Sequence, residues 1–490
     1  MLVTFEPPPG LFRNGTELQS AGRWRDASLV RWHEGTIRPI GGWQAFDDET
    51  TAGTVRAMHA WRSSNSRGYF LALGSGGALE VFTREGDLID VSPSDLVGGR
   101  EVGRQAVGYG VGPYGRGAYG SDYTATTLVK PAALWSLDNW GDYLVACHDL
   151  DGRIFVWEGD ANAKATPIAE APVDNVGLVV SDQRFLFALG AGGNPRNVAW
   201  CDREDYTVWE STATNEAGDY TLATAGNIMA ATPVNGDLLI HTDVDVHVCT
   251  YVGPQIVHEF EHVGSGCGII SRNAAVTVNG SVMWMGQNGF YAYQGGQVTD
   301  MPCEVSDYVF SDMGRYKDSH VYATQVSEFN EVWWFYTSSE ATDNDRYVVF
   351  NYATGAWYTG NLSRTAALDR GVHSYPLMVD GNTVYEHERG AIPDGNPVFI
   401  ETGPHSIGNG EQTFTASRFY PDELSQGDVT ATFKTRRYPN GPESTHGPYV
   451  LGAPTGVRFT GRQVRMRLDK AGDDFRVGVQ RLEVATRGRR

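Results

Sequence analysis

Apolar and polar positions repeat along the chain in one unit, which consists of an apolar strand, a tight Gly/Asp/Asn turn and an aromatic strand. The unit begins at Gly68 (GYFLALGSGGALEVF), Asp142 (DYLVACHDLDGRIFVW), Arg184 (RFLFALGAGGNPRNVAW), Asp237 (DLLIHTDVDVHVCTY), Ser281 (SVMWMGQNGFYAY), Glu331 (EVWWFY with RYVVFNY) and Leu377 (LMVDGNTVYEH). Pairs such as DG, GG and NG tolerate the positive φ angles of two-residue hairpin turns. The pattern therefore predicts seven β-hairpins.

The spacing of these hairpins indicates how they assemble. Those at Asp142, Arg184 and Asp237 start roughly 40–50 residues apart, which is the length of one four-stranded propeller blade. Blades are buried on both faces, so their strands read as apolar runs. We predict an all-β chain with a β-propeller, six blades being favoured and seven possible. A two-sheet sandwich of similar strands is the alternative.

Two segments interrupt this rhythm and suggest domain boundaries. Residues 98–123 are rich in Gly and Tyr and predict a long exposed loop inserted in a propeller over 47–394. Residues 1–46 are expected to form an N-terminal arm that contributes to propeller closure. From about residue 395 the strands become short and alternating, which predicts a C-terminal β-sandwich over 395–490.

The inserted loop is a candidate tip or gate element. Its candidate contact residues are Tyr109, Tyr114, Arg116 and Tyr119. A contact or gating loop and a plain flexible insertion are both compatible with this composition.

The C-terminal region is basic, whereas the chain as a whole is acidic. From Lys434 to Arg490, Lys and Arg outnumber Asp and Glu by 13 to 5, whereas the whole chain carries −20. In RQVRMRLDK, alternation places Val464, Met466 and Leu468 on a packed face and Arg465 and Arg467 on the other. The residues predicted to dock on a neighbouring ring are Arg436, Arg437, Arg465 and Arg467. A solvated basic tail is the alternative.

Composition limits the remaining classes. With 59 Gly, 11% aromatic and 20% charged residues, the chain does not resemble a helical bundle. Its acidity disfavours gripping duplex DNA over the whole surface. Five scattered cysteines fit reduced thiols in a cytoplasm, and the chain shows neither a secretory signal nor an apolar run that would span a bilayer. We expect a protein made in the cytoplasm, with no cofactor and no membrane insertion.

Two polar clusters could be mistaken for chemical sites. His258-Glu259-Phe260-Glu261-His262 matches HExxH, but zinc proteases need this motif on a helix, and the surrounding Gly and Pro favour a strand. His241, Asp243, Asp245 and His247 alternate, so they would share one face of a strand. That face could bind a divalent ion or, preferably, be a solvated strand face, including one that lines an acidic channel, and both interpretations predict exposure to solvent. We assign no catalytic, cofactor or metal residue and predict that the chain is not an enzyme.

Longer stretches resemble a known family. They are NGDLLIHTDVDVHVCTYVGP, the following GSGCGIISRNAAVTVNGSVMWMGQNGFYAYQGGQVTDMPCEVSDYVF, and the pair EFNEVWWFYTS and RYVVFNYATGAWYTGNL. The opening GLFRNGTELQSAGRWRDASLVRWHEGTIRPIGGW and the closing RQVRMRLDK with VGVQRLEV extend the likeness over most of the chain. Together they resemble the tail nozzle proteins of short-tailed bacteriophages, also described as packaged-DNA stabilisation or head-completion hub proteins. The Gly/Tyr loop and the HEFEH segment depart from that pattern.

The resemblance implies a structural virion protein in the phage tail. Such a protein would be a six-bladed propeller in a homohexameric ring below the portal and adaptor rings, retaining the packaged genome and conducting it at ejection. Implied partners are the adaptor and portal, tail fibres or tailspikes, a plug or needle, and double-stranded DNA that passes without specific binding. The main alternative is a secreted or particle-bound propeller that binds or cleaves glycans, and a zinc peptidase is third.

Overall fold

A computed structural model describes residues 1–64, 68–83, 85–107, 124–314, 317–407, 411–424, 427–472 and 474–487. The N-terminal segment supplies five short strands to different parts of the molecule. They are β1 (Leu2–Phe5), β2 (Trp24–Ser28), β3 (Val30–His33), β4 (Thr36–Pro39) and β5 (Trp43–Ala45), with a 3₁₀ turn at Glu17–Ser20 between the first two. Only β3 and β4 pair with each other, so the segment is held by distant parts of the chain.

Seven four-stranded antiparallel sheets follow as the blades of a propeller. Blade 1 contains β6 (Val55–Arg62), β7 (Tyr69–Ser75), β8 (Leu79–Phe82) and β9 (Leu88–Asp90). The insertion that follows contains β10 (Arg104–Val107) and β11 (Thr124–Lys130). Blade 2 contains β12 (Trp135–Trp140), β13 (Tyr143–His148), β14 (Ile154–Trp157) and β15 (Thr166–Pro167). Blade 3 contains β16 (Gly177–Val180), β17 (Leu186–Leu189), β18 (Asn197–Trp200) and β19 (Gly218–Thr221), with a 3₁₀ turn at Ala191–Gly193, and blade 4 contains β20 (Ile228–Val234), β21 (Asp237–Thr242), β22 (Asp245–Gly253) and β23 (Val257–Ser265).

The remaining blades complete the circle. Blade 5 contains β24 (Ala275–Val278), β25 (Ser281–Met285), β26 (Phe290–Gln294) and β27 (Gln297–Met301), and α1 (Ser306–Asp312) and a 3₁₀ turn (Asp318–His320) lead to blade 6. Blade 6 contains β28 (Tyr322–Val326), β29 (Glu331–Tyr336), β30 (Arg346–Asn351) and β31 (Ala356–Asn361), with a 3₁₀ turn at Ser327–Phe329, and blade 7 contains β32 (Ala366–Leu368), β33 (Leu377–Asp380) and β34 (Thr383–His387). Strand β5 pairs with β34 as the fourth strand of blade 7.

The blades form a closed wheel. The first strand of each blade contacts the first strand of the next, and β32 contacts β6. The chain is therefore a seven-bladed β-propeller, and the favoured count of six is wrong. Each of the seven predicted hairpins supplies the second and third strands of one blade, so every hairpin corresponds to a blade.

Local chemistry explains the tight turns and the cores of the blades. Asn235 and Gly236 both have positive φ, 51° and 91°, as the two-residue turn between β20 and β21 requires. Between blades, large aromatic side chains provide the packing: Phe290 lies 5.0 Å from Trp334 and 4.7 Å from Trp357, measured between ring centroids. Because these rings come from consecutive blades, they hold the wheel together laterally.

The C-terminal part is a β-sandwich that also contains strands from the N-terminal segment. Its strands are β35 (Phe399–Thr402), β36 (His405–Ser406), β37 (Thr413–Tyr420), β38 (Val429–Arg436), β39 (Ser444–Val450), β40 (Thr455–Gly461), β41 (Gln463–Lys470) and β42 (Gln480–Arg487). One sheet has the order β1-β42-β37-β40, and the other has the order β2-β35-β41-β38-β39 with β36 on β41. Phe433 packs between the sheets, 5.1 Å from both Phe419 and Phe459.

The N-terminal segment fastens the sandwich to the propeller. Strands β1 and β2 lie at the edges of the two sandwich sheets, while β5 lies in blade 7. Between them, Arg31 is buried against Glu331 of blade 6 and Glu388, which follows blade 7. Ile37 exchanges backbone hydrogen bonds with Val477 of the sandwich. One segment thus contacts both units.

The Gly/Tyr-rich insertion departs in part from the predicted loop. Residues 104–107 and 124–130 pair as the antiparallel strands β10 and β11. The backbone N–H of Gly103 donates to Nε2 of the buried His320 at 2.9 Å, which anchors the insertion beside blade 6. Residues 108–123 lie outside the described residues.

Candidate functional site

The polar row predicted to line a channel does not form one strand face. Strand β21 ends at Thr242, and the chain turns through Asp243 and Val244 before β22 begins at Asp245. His241 therefore lies on one strand while Asp245 and His247 lie on its hairpin partner. The alternation that placed all four residues together assumed an unbroken strand.

Three of the four side chains are also buried, so the expected exposure is wrong for His241, Asp245 and His247. The His241 ring lies 5.1 Å from that of Trp284 in blade 5, and burial lowers its pKa to about 3. Asp245 accepts hydrogen bonds from the hydroxyls of Thr242 and Thr224, at 2.6 and 2.7 Å. Burial alone would raise the pKa of Asp245, but these hydroxyls lower it. Asp243 is half-buried and caps the backbone N–H of Asn227 at 2.7 Å.

The HEFEH segment lies on β23, the outermost strand of blade 4, as expected from its Gly and Pro context. Its two histidines differ in environment. His258 is buried among Phe185, Phe187, Trp200 and Tyr251, with ring centroids 4.8 to 5.7 Å away, and burial lowers its pKa to about 4. His262 is exposed and contacts Ser265. Within the described part of the chain, no group of three His, Cys, Asp or Glu side chains is placed to hold a metal ion.

Three of the four predicted docking arginines are bound within the molecule. The Arg436 guanidinium binds Glu17, and that of Arg465 binds Glu17 at 2.7 Å and also Glu401. Arg467 binds Asp469 and lies over the Phe399 ring, 3.6 Å from its centroid.

The expectation of a free cationic surface is therefore wrong for Arg436, Arg465 and Arg467. The 3₁₀ turn that carries Glu17 covers this face of the sheet. Glu17 is separated from Arg436 by 419 residues in sequence, so no local pattern indicates the contact. Arg437 is exposed, and its docking on a neighbouring ring stays a prediction. Tyr109, Tyr114, Arg116 and Tyr119 of the candidate tip loop lie outside the described residues.

A cavity at the centre of the wheel was not predicted. It has a volume of about 360 Å³, and Leu134, Asp149, Met229, Arg272 and Asp318 contribute to its wall. A second cavity of about 310 Å³ lies along the first strands of the blades and shares Arg272. The Arg272 side chain thus lies between the two cavities.

Arg272 connects several blades. It precedes blade 5. Its Nη1 donates to the carbonyl oxygen of Val176, just before blade 3, at 2.5 Å and to that of Met229, in β20 of blade 4, at 3.0 Å. Its Nε lies 3.8 Å from Oδ2 of Asp149 in blade 2. Burial lowers the pKa of Arg272 and raises that of Asp149. Arg272 therefore links blades 2 to 5 at the centre of the wheel, and this arrangement suits a structural role better than proton transfer.

The sequence offered little signal for this centre. Arg272 stands in GIISRNAAV, where nothing separates it from an ordinary surface arginine. Its role comes from two backbone carbonyl groups at blades 3 and 4 and from the Asp149 carboxylate in blade 2, and these meet only in the closed wheel. In the described residues, no helix is both long and apolar enough to cross a membrane.

Comparison with known proteins supports no assignment beyond the fold. No family model matches the chain, and no curated protein matches it. Solved structures similar to it include virginiamycin B lyase from Staphylococcus aureus, at 8% identity and a TM-score of 0.41, covering 67% of this chain and 99% of that one. The Neurospora crassa Pan2 WD40 domain is 7% identical with a TM-score of 0.40, covering 74% and 98%. The Cps50 (Swd1) β-propeller domain of Myceliophteria thermophila is 11% identical with a TM-score of 0.40, covering 70% and 99%. These likenesses concern the β-propeller fold alone.

Proposed function

We propose that the chain is a structural subunit of a bacteriophage tail, a nozzle or hub that forms a homohexameric ring below the portal and adaptor. In this position it would retain the packaged genome and conduct it at ejection. The chain would be made in the host cytoplasm and incorporated into the virion tail. The proposal gives it no catalytic role.

The observation that carries the proposal is the way the N-terminal segment joins propeller and sandwich. The segment contributes an edge strand to each sandwich sheet and the closing strand to blade 7. Arg31 is buried between these strands, and Leu29 donates its backbone N–H to the Tyr347 hydroxyl of blade 6 at 2.9 Å. A subunit in a ring that conducts DNA must keep its parts in fixed positions, and this junction favours a rigid body over hinged domains.

The stretches that resemble tail nozzle proteins occupy connected parts of this body. The first covers β21 and β22 of blade 4, the second covers blade 5 and most of α1, and the third covers β29 to β31 of blade 6. The opening stretch covers β2 to β4 and the start of β5. In the propeller, the resemblance therefore concerns parts of three consecutive blades together with the segment that fastens the wheel to the sandwich.

The charge also supports a DNA conduit. Each copy carries a net charge of −20. Carboxylates facing a narrow lumen repel phosphates within a Debye length of about 8 Å at physiological salt. Such a wall would let the genome pass without holding it, since non-specific DNA binding requires clustered cations.

The test is to locate the chain in particles of the phage that encodes it. We expect peptide mass spectrometry to find it in purified virions, and immunogold electron microscopy to place it on the tail below the portal. Particles made without it should have lost their DNA. Absence of the chain from purified particles would contradict the proposal, and binding of host polysaccharide by the purified chain would favour the glycan-binding alternative.

A further inference from the structure

The outer rim of the wheel has an unusual charge pattern. The fourth strands of the seven blades are β9, β15, β19, β23, β27, β31 and β5, and none of them contains Lys or Arg. Exposed carboxylates lie on three consecutive blades: Asp219 on β19, Glu259 and Glu261 on β23, and Asp300 on β27. Among the described residues, none of these four carboxylates has an ion-pair partner within 4.0 Å.

Apolar side chains accompany these acids. The turn between β22 and β23 exposes Val252 and Ile256, which are 45% and 70% accessible. Beside it, the half-exposed Tyr220 stacks on Phe260 with ring centroids 4.5 Å apart. We call the surface formed by Asp219, Tyr220, Ile256, Glu259, Glu261 and Asp300 the acidic rim. Exposed apolar groups bordered by charges are typical of protein contact surfaces.

A surface of opposite charge lies on the sandwich. On the sheet β1-β42-β37-β40, inward residues such as Phe419, Phe459 and Leu482 are buried, while Arg418, Arg458 and Arg481 are exposed. None of these three arginines forms an ion pair with any residue that the structure describes. This distinguishes them from Arg436, Arg465 and Arg467 of the opposite sheet, which are bound to Glu17, Glu401 and Asp469.

The surroundings of these arginines leave them accessible. Arg418 lies opposite Gly456 on β40 and Glu483 on β42, and Thr415 lies opposite Thr460. On β1, Leu2 is 55% accessible and lies opposite Glu483 of β42. We call the surface formed by Leu2, Arg418, Arg458 and Arg481 the arginine face. Its small neighbouring side chains would let a protein surface approach closely.

We propose that the arginine face of one copy docks on the acidic rim of the next copy, at blades 3 to 5. Both surfaces combine unpaired charges with exposed aliphatic groups, and their charges are complementary. Because the two surfaces differ, the contact is heterologous, and a heterologous contact generates a ring when its rotation closes. The inference rests on the proposed function, and it identifies the surfaces that would join neighbouring subunits.

A second copy fits the arginine face better than a nucleic acid. The acidic rim offers the exposed Ile256 to match Leu2 of the arginine face, and their neighbours Val252 and Met1 are also exposed. The phosphate backbone of duplex DNA offers charge but no such apolar partner, and the net charge of −20 opposes its approach. Complementary charges across protein contacts set the partner and the orientation.

The test is sedimentation velocity of the full chain at low and physiological salt. We expect wild-type chains to associate more strongly at low salt. The variants R418E/R458E and E259R/E261R should each weaken association by about 100-fold, or about 2.7 kcal/mol, and the combined four-residue variant should recover it. R437E is the matched control, since Arg437 is an exposed sandwich arginine outside the arginine face, and it should associate like wild type. Thermal unfolding checks that every variant is folded.

Each contrary result would overturn the docking proposal. These results are a wild-type chain that stays monomeric at every concentration and salt, R418E/R458E chains that associate like wild type, and a four-residue variant that does not recover. Gel-shift measurements with duplex DNA add another: DNA binding that disappears in R418E/R458E would make the arginine face a nucleic-acid surface. None of these results changes whether the chain is found in the virion tail, so the two proposals can fail separately.

Discussion

Arg31 of the N-terminal segment and Glu331 of blade 6 form a fully buried ion pair, with Nε of Arg31 3.0 Å from Oε1 of Glu331. Burial alone would lower the pKa of Arg31, but Glu331 and Glu388 raise it, so the guanidinium stays charged. Glu331 also accepts hydrogen bonds from Tyr358 and from the Trp333 ring N–H. The pair therefore belongs to a network that joins the N-terminal segment to blades 6 and 7.

Replacing Arg31 should destabilise the whole chain. Arg31→Met leaves Glu331 buried without its cation, and breaking a buried pair in this way costs about 3–5 kcal/mol. We expect a lower denaturant midpoint in urea unfolding. Arg370→Met is the control, because Arg370 forms a surface pair with Glu328, and it should change stability by about 0–1 kcal/mol. Equal effects of the two substitutions would contradict the role given to Arg31.

The contribution of the Arg272–Asp149 interaction to stability can be tested with a double-mutant cycle. Arg272→Met should lower the free energy of unfolding by about 3 kcal/mol, because it leaves Asp149 and the carbonyls of Val176 and Met229 without their donor. Adding Asp149→Asn should recover part of this loss, since the uncompensated carboxylate is then gone. Strictly additive effects in urea unfolding would show that the two side chains do not interact.

The aromatic pocket around His258 predicts a dependence of stability on pH. The folded imidazole has a pKa of about 4, against about 6.5 in the unfolded chain. The unfolded state therefore takes up a proton first, and the free energy of unfolding should fall by about 1.4 kcal/mol per pH unit as the pH drops from about 6.5 to about 4.

His258→Phe should remove this contribution, because the phenyl ring fits the same pocket and does not titrate. We expect a flatter pH profile of the melting temperature than for wild type. His262→Gln is the control on the same strand, since His262 is exposed, and it should keep the wild-type slope. An unchanged slope in His258→Phe would exclude His258 as its source.

Glu401 is predicted to be structural rather than part of a docking surface. Its buried carboxylate binds Lys434 and Arg465. Glu401→Gln should cost about 3–5 kcal/mol because two cations lose their shared anion. Glu443→Gln removes a more exposed partner of Arg465 and should cost about 0–1 kcal/mol. Differential scanning calorimetry of the two variants provides the comparison.

The fold was predictable where its signals are local. The middle hairpin of each blade is a strand, a turn and a strand within a short window, and all seven were found. The first and fourth strands of the blades carry weaker signals. Strand β15 has two residues, Thr166–Pro167, and β19, Gly218–Thr221, has no apolar alternation. Their pairing depends on the blade that they complete.

The candidate sites were harder to predict because their partners are distant in sequence. The alternation of apolar and polar residues correctly predicted that Val464, Met466 and Leu468 of β41 are buried. It could not show that Arg465 of the same strand meets Glu17 from the other end of the chain. Likewise, no pattern marks Arg418 and Arg458 as lacking an ion-pair partner among the described residues, because a free cation differs from a paired one only in its tertiary surroundings.

The pairing of β5 with β34 determines when the propeller can close during synthesis of the chain. Trp43 pairs with His387, so β5 is translated before blade 1 but pairs only after the last strands of the propeller have been made. Blade 7 is completed after all the others, and until then the nascent chain exposes an unfinished sheet edge that could pair wrongly. Such long-range closure slows folding, since the loop entropy is lost before the contact is gained. Closure of the wheel is thus a late step of propeller folding, and it requires the chain as far as β34.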